Sequence, residues 1–181
     1  MVKIAIIGKM CSGKTTVANY LMKINNDFIK LSFADKVKEI AKDLFGMEKK
    51  DRKLLQMIGT KMREIDQDIW AKYTANKTNL SEFVIIDDLR YKNEFDILRI
   101  NGFKIIKLKI SNDLQLNRLK KEYPDTWKEH SSNCSHQSEI EIDSIDEKNI
   151  DLIINVDEKI NELFKIIENF YINLNNNFAN E

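Results

Sequence analysis

The sequence has little of what marks secreted, fibrous or membrane-spanning chains. Among 181 residues there are one proline, five glycines and two cysteines, and two cysteines give no disulfide framework. Lys and Arg together number 29, as do Asp and Glu, so the formal net charge is zero. This balance disfavours non-specific binding to nucleic acid or to a membrane. The apolar run Ile4–Ile7 is too short to cross a bilayer, and we expect no signal peptide and a cytoplasmic location.

What the sequence does contain is an alternation of β-branched segments with segments of helical periodicity. This alternation predicts one α/β domain, a mostly parallel sheet with helices on both faces. The segment 103–110, FKIIKLKI, suggests a strand with one wet face or a sheet edge, and the polar tail 173–181 is expected to fray. We predict strands at 2–7, 28–33, 83–86, 103–110 and 150–156, and helices at 14–24, 35–45, 49–70 with a break near Gly59 or Asp66, 93–100, 113–122 and 158–172.

Residues 8–15, GKMCSGKT, match the phosphate-binding pattern G-x-x-x-x-G-K-[ST]. A buried strand precedes the match and an amphipathic helix follows it, which is the context that this loop, the P-loop, requires. Its backbone N–H groups and the helix N-terminus bind phosphate, with Lys14 expected at the β- and γ-phosphates and Thr15 at Mg²⁺. Cys11 is interpreted as a small loop filler rather than a reactive thiol. The predicted ATP-binding residues are Gly8, Lys9, Cys11, Ser12, Gly13, Lys14, Thr15 and Thr16.

The rest of the chain favours a small kinase over other P-loop proteins. A GTPase needs a guanine-reading N-K-x-D segment, and the stretch 76–79, NKTN, lacks the Asp and follows a helix. Motor and AAA-type ATPases are larger and usually have a longer separation between the loop and their acidic strand. Two inserts interrupt the strand–helix alternation, at about residues 47–80 and 119–143. In small kinases such inserts close over the acceptor and over ATP, and closure excludes water.

Four further segments follow the P-loop in a fixed order: LSFADKVKEIAKDLFG (31–46), LLQMIGTKMREIDQDIW (54–70), FVIIDDLRYKNEFD (83–96) and SHQSE (135–139). Together they resemble the deoxynucleoside monophosphate kinases of bacteriophages and large DNA viruses, over roughly residues 1–140. The resemblance implies a three-layer P-loop NTPase fold, a five-stranded sheet of order 2-3-1-4-5, an acceptor-binding helical insert and a short lid. Metazoan phosphomevalonate kinases are similar in overall layout.

On the acceptor side, the resemblance points to the helix after the second strand and to the first insert. Asp35 and Lys38 lie one helical turn apart, so both could face the cleft, or they could form a solvated helix start. Arg63 could hold the acceptor phosphate as a bidentate fork. Trp70 could line the base or sugar pocket, although aromatic residues at helical spacing are more often core. The predicted acceptor-binding residues are Asp35, Lys38, Gln56, Arg63, Trp70, Arg90 and Glu94.

The third predicted strand ends in two acids followed by an arginine. A carboxylate at this place can hold the Mg²⁺ shell, and the family pattern D-x-R-x-x-N-E puts that role at Asp88, with Asp87 as a second candidate. The pattern puts Arg90 at the acceptor phosphate, where Glu94 could orient it. Arg118, in the helix before the lid, is expected on the transferring phosphate. The predicted catalytic residues are Lys14, Asp88, Arg90 and Arg118, and the predicted metal residues are Thr15, Asp87 and Asp88, partly through water.

The second insert gives weaker signals. The stretch 123–143 contains no arginine, unlike the lids of adenylate kinases. A zinc site built from His130, Cys134 and His136 is disfavoured, because three ligands without a C-x-x-C pair are too few. The pattern H-x-S-E suggests a polar cluster near the ATP site or the lid hinge, formed by His136, Ser138 and Glu139.

With the P-loop, the resemblance implies transfer of the ATP γ-phosphate, with Mg²⁺, to a (deoxy)nucleoside 5′-monophosphate for DNA synthesis. The acceptor phosphate is already an anion, so positioning and charge neutralisation suffice. Two alternatives stay open: a kinase for another phosphorylated small molecule, such as phosphomevalonate, and a regulatory ATP-binding module. The expected partners are small-molecule nucleotides, with no direct nucleic acid or membrane partner and a homodimer left open. A viral source would place the chain in the host cytoplasm.

Overall fold

Five strands form one parallel sheet at the centre of the protein. The computed structural model describes residues 1–132, 141, 144–157 and 160–179. The strands lie in the order β2-β3-β1-β4-β5 and every neighbouring pair is parallel, so the predicted order is confirmed and the sheet is wholly parallel. The strands are β1 (Val2–Gly8), β2 (Ile29–Leu31), β3 (Phe83–Leu89), β4 (Lys104–Lys109) and β5 (Leu152–Asn155).

Helices cover both faces of this sheet and make three layers. In β1, Ile4 and Ile6 pack with helices α1 and α8, whereas Ala5 and Ile7 pack with α2 to α5. Both faces of the strand are therefore buried, which explains its unbroken apolar sequence. The helices are α1 (Lys14–Ile24), α2 (Phe33–Phe45), α3 (Arg52–Ile65), α4 (Ile69–Lys77), α5 (Lys92–Ile100), α6 (Asn112–Glu122), α7 (Trp127–Ser132) and α8 (Ile160–Ala179).

The chain turns from β2 into α2 earlier than predicted. The predicted strand 28–33 is shortened, because Ser32 caps the helix: its Oγ accepts a hydrogen bond from the Ala34 N–H at 3.2 Å. A capping hydroxyl of this kind satisfies one of the free N–H groups at a helix start. As a result α2 begins at Phe33 rather than at Asp35.

Two further boundaries matter for the site. Helix α3 passes through Gly59 unbroken, and the break falls at Asp66, the second of the two predicted places. Strand β3 continues to Leu89, so Asp87 and Asp88 lie within the strand rather than after it. Successive strand residues point to opposite faces, and the two acids consequently serve different helices.

The lysines of β4 lie in an interior strand, and the expectation of a sheet edge or one wet face is wrong. β4 pairs with β1 and β5, and Lys104 points to the face opposite Lys107 and Lys109. Lys107 is only 5% exposed, yet its Nζ lies 3.5 Å from Glu147. Lys109 reaches the same carboxylate at 2.6 Å, and Lys104 reaches Asp151 at 3.3 Å. The aliphatic stems are covered while the ammonium groups find carboxylates before and at the start of β5.

The second insert and the C-terminal region contain more helix than the periodicity predicts. Helix α7 lies within the stretch 123–143 that shows no period. Helix α8 continues past its predicted end at Ile172 to Ala179 and buries Leu174 against the sheet, so the described part of the polar tail is helical. Among the described residues, no helix combines the length and the apolar character needed to cross a membrane.

Candidate functional site

The loop between β1 and α1 has a backbone shape that requires its glycines. Gly13, at φ 97°, precedes α1 in the left-handed region, where other residues are strained. A Cβ on Gly8 would lie 2.6 Å from Ser12 Oγ and 2.8 Å from the Leu108 carbonyl oxygen. Position 8 therefore requires glycine because neighbouring atoms leave no room for a Cβ, and position 13 requires glycine because its backbone is in the left-handed region.

Lys14 lies across this loop at the N-terminus of α1. Its Nζ donates to the carbonyl oxygens of Gly8 at 2.6 Å and Lys9 at 2.8 Å. The backbone N–H groups at the helix start and the helix dipole attract an anion to the same place. Thr15 and Thr16 follow as exposed residues of the first helical turn. The loop thus offers a phosphate both backbone donors and a point charge.

Asp87 is the acid beside the P-loop. Thr15 Oγ1 donates to Asp87 Oδ2 at 2.9 Å, and Lys30 Nζ of β2 lies 2.6 Å from the same oxygen. The Asp87 side chain is 7% exposed, so Lys30 supplies the opposite charge that a buried carboxylate needs. A hydroxyl and a carboxylate are hard oxygen donors of the kind that Mg²⁺ takes, and Thr15 and Asp87 therefore fit that ion.

Asp88 faces away from the P-loop, which corrects the sequence analysis that put the main metal role there. Its carboxylate accepts hydrogen bonds from Ser32 Oγ at 2.5 Å and from the N–H groups of Phe33 and Ala34, each at 3.1 Å. Burial raises the pKa of Asp88, and these hydrogen bonds oppose the rise. The physical reason is the alternation of strand side chains: Asp87 reaches α1, and Asp88 holds the start of α2.

Arg63, Tyr91 and Glu94 form a cluster where β3 meets α5. The Arg63 guanidinium lies 4.4 Å from the centre of the Tyr91 ring, and its Nη2 lies 3.6 Å from Glu94 Oε1. Glu94 Oε2 accepts the backbone N–H groups of Arg90 at 3.0 Å and Tyr91 at 3.1 Å. The carboxylate therefore fixes the backbone that carries Arg90. The structure brings Arg63, Arg90 and Glu94 together, as three of the predicted acceptor residues.

The other predicted acceptor residues lie apart from this cluster. Lys38 Nζ pairs with Asp35 Oδ1 at 3.1 Å on the exposed surface of α2, and Gln56 is exposed on α3. Trp70 is 3% exposed and donates through Nε1 to the Gly59 carbonyl at 3.2 Å. Trp70 is a core residue joining α4 to α3, so the predicted place in a base or sugar pocket is wrong.

Arg118 lies beside the P-loop, clamped between two carbonyl groups. Its Nη1 donates to Cys11 O at 3.0 Å and its Nη2 to Val156 O at 3.3 Å. It borders a cavity of about 540 Å³ that the P-loop shares with the end of α6, Tyr123 and the start of α8. These two contacts hold the guanidinium at the wall of the cavity, and its expected place on the transferring phosphate stays a prediction.

The two inserts contact each other through one cation and two rings. The Arg52 Nη1 atom of α3 lies 2.9 Å from His130 Nδ1 and 3.0 Å from Nε2, and the Arg52 guanidinium lies 5.9 Å from the Tyr123 ring centre. Burial and the Arg52 charge lower the pKa of His130. A cation at this distance disfavours zinc at His130. Cys134, His136, Ser138 and Glu139 lie outside the described residues.

Three residues of the site were missed by the sequence analysis: Lys30, Tyr91 and Gln115. Gln115 of α6 donates through Nε2 to the Met10 carbonyl at 3.0 Å. None of the three falls in a spacing that marks a site. Tyr91 alone carried a signal, because it directly follows Arg90.

The chain is similar to known proteins along most of its length. A family model described as "AAA domain" matches residues 4–159. The chain is also 29% identical to a protein of Acanthamoeba polyphaga mimivirus named "Putative deoxynucleotide monophosphate kinase", over 94% of this chain and 93% of that protein. The resemblance seen in the sequence motifs is thereby confirmed.

Solved structures similar to the chain include P-loop kinases. A shikimate kinase from Aquifex aeolicus has a TM-score of 0.54 at 16% identity, covering 99% of this chain and 100% of that one. An uncharacterized protein from Eubacterium ventriosum has a TM-score of 0.60 at 18% identity, covering 94% and 98%. At these identities the likeness shows the fold alone, that of P-loop kinases.

We expect the buried Glu94 to make stability depend on pH. Burial raises its pKa from 4.5 to about 7, so between these values the folded state keeps a proton that the unfolded state releases. The free energy of unfolding should therefore fall as pH rises through this window. Glu94→Gln removes the titration and keeps an acceptor oxygen. The free energy of unfolding of Glu94→Gln minus that of the wild type should be larger at about pH 8 than at about pH 4.5, by about 1–3 kcal/mol.

Urea denaturation at both pH values measures this difference. Glu64→Gln, an exposed carboxylate on α3, is the matched control and should show no such dependence. A difference between Glu94→Gln and the wild type that is the same at both pH values contradicts a protonated, buried Glu94.

The separate places of Asp87 and Asp88 lead to opposite expectations for their asparagine variants. Asp88→Asn should lower the free energy of unfolding by about 0.5–2 kcal/mol, because it weakens the acceptor at the start of α2, and should leave metal binding intact. Asp87→Asn should weaken Mn²⁺ binding in the presence of ATP by about tenfold. Electron paramagnetic resonance of Mn²⁺ and urea denaturation measure the two effects. Weakened Mn²⁺ binding in Asp88→Asn with unchanged Mn²⁺ binding in Asp87→Asn contradicts this geometry.

Proposed function

The chain belongs to the AAA-domain family, and on this premise we propose that it transfers the γ-phosphate of ATP to a (deoxy)nucleoside 5′-monophosphate. The observation that carries the proposal is the pairing of β1 with β3, in which Ile7 lies beside Leu89. The P-loop and the turn that bears Arg90 therefore leave the sheet side by side at its carboxyl edge. A donor and an acceptor bound to these two segments would face each other.

In this proposal the P-loop holds the triphosphate of ATP. Lys14 exchanges its carbonyl partners in the loop for the β- and γ-phosphates, which carry more negative charge. The base enters the cavity beside the loop, where the Arg118 guanidinium supplies a flat cation for stacking. Val156 lines the same cavity and supplies an apolar contact next to it.

Mg²⁺ would be held by Thr15 and Asp87, and when bound it neutralises charge on the donor phosphates. Lys30 holds the Asp87 carboxylate from the side of β2.

Arg63 and Arg90 would hold the acceptor phosphate. An oxygen of that phosphate attacks the γ-phosphorus while the bond to the β–γ bridging oxygen breaks, and ADP leaves. No side chain has to take a proton, because the attacking oxygen is already anionic. The Glu94 carboxylate holds both arginines: it pairs with the Arg63 guanidinium and accepts a hydrogen bond from the backbone N–H of Arg90.

The name of the mimivirus relative supports a deoxynucleotide acceptor. The matching family model is described as "AAA domain", and the sequence analysis set AAA-type ATPases aside on size. A module that hydrolyses ATP without an acceptor is therefore the second candidate. A kinase for another phosphorylated small molecule is the third, since the fold is compatible with several acceptors.

A coupled assay of ADP release with and without acceptor tests the proposal. We expect ADP release to rise strongly with at least one member of a panel of the common ribo- and deoxyribonucleoside monophosphates. Phosphomevalonate tests the third candidate, and shikimate is the control acceptor. Equal ADP release with and without every monophosphate overturns the proposal and favours the ATPase module.

Arg90→Ala should lower kcat/KM for the acceptor by at least about tenfold, since one lost phosphate contact is worth about 1–3 kcal/mol. ATP binding, measured by calorimetry, should survive. Lys92→Ala, a nearby exposed cation paired with Asp96, is the control and should keep wild-type turnover. Unchanged turnover in Arg90→Ala removes Arg90 from the acceptor site.

A further inference from the structure

The P-loop contains a strained turn at Cys11. At φ 62°, Cys11 is the one non-glycine residue with a positive φ in the part of the chain that the structure describes. The Ser12 N–H donates back to the Lys9 carbonyl at 3.2 Å, so Met10 and Cys11 are the central residues of a four-residue turn. A positive φ at the second central position is the place where turns favour glycine. A residue with a Cβ stays there only if its surroundings impose the conformation.

Helix α6 supplies two restraints on this turn. Gln115 Nε2 donates to the Met10 carbonyl at 3.0 Å, and Arg118 Nη1 donates to the Cys11 carbonyl at 3.0 Å. Gln115 and Arg118 lie three residues apart and so share one face of the helix. Gln115 is only 6% exposed, and a buried amide is retained where its hydrogen bonds are satisfied. Two consecutive carbonyl groups of the turn are therefore held by one helix face.

We propose that Gln115 is a positioning residue for the donor site. By its hydrogen bond to the Met10 carbonyl, Gln115 holds the Met10–Cys11 peptide in its strained orientation. That peptide bond is trans, so its N–H points opposite to its carbonyl. Because Gln115 holds the carbonyl toward α6, the Cys11 N–H points away from α6, and in the complex with ATP it would donate to the donor phosphates. This role rests on the proposed function, in which the P-loop holds the triphosphate of ATP.

Calorimetric titration of ATP into Gln115→Met tests the role, because methionine has the same length and no donor. We expect ATP to bind about tenfold more weakly, the loss of one hydrogen bond. KM for ATP should rise while kcat at saturating ATP stays near the wild-type value, because the peptide contacts the donor before and during transfer alike. In a Cys11→Gly background the same substitution should weaken binding by about threefold or less, because glycine adopts the positive φ without strain.

Asn117→Leu, an apolar substitution on the exposed face of α6, is the control and should bind ATP as the wild type does. Gln115→Asn, whose amide is too short to reach Met10, should reproduce the weakening and serves if Gln115→Met does not fold. Unchanged ATP affinity in a folded Gln115 variant overturns the inference, and so does an equal loss with cysteine or glycine at position 11. Absence of ATP binding by the wild type would instead refute the proposed function itself.

Discussion

The parallel pairing of β1 with β3 is the constraint on which the rest of the site depends. It places the loop after Gly8 beside the turn at Arg90, since both strands end at the same edge of the sheet. It also places Asp87 beside Thr15 on the first turn of α1. The pairing itself is stabilised by burial on both faces, because strand residues of β1 and β3 pack into the clusters above and below the sheet.

The cations of the site are held in place by the fold. Lys14 is bound by loop carbonyls, Lys30 by Asp87, Arg63 by Glu94, and Arg118 by the carbonyls of Cys11 and Val156. The chain has a zero net charge and yet orients several cations near the carboxyl edge of the sheet. Groups that are already oriented stabilise a highly charged reaction without reorganising when it occurs.

The contact of Arg52 with His130 and Tyr123 connects the first insert to the second. Since α3 carries Arg63 and Tyr123 borders the cavity beside the P-loop, the Arg63 cluster and this cavity are connected outside the sheet as well as through it. Helix α6 connects the second insert to the P-loop by way of Gln115 and Arg118.

Local patterns in the sequence determined the P-loop, the alternation of strands and helices and, through the family resemblance, the strand order. Each of these depends on residues close together in the chain, such as the glycines around Lys14 or the apolar run of β1. The tertiary structure decided which of two adjacent acids lies against Thr15 beside the P-loop, because β3 runs past both and its side chains alternate between faces. It also decided that Trp70 is core and that Lys30 and Gln115 belong to the site. Those roles depend on contacts between distant segments, which the spacing of residues along one chain does not encode.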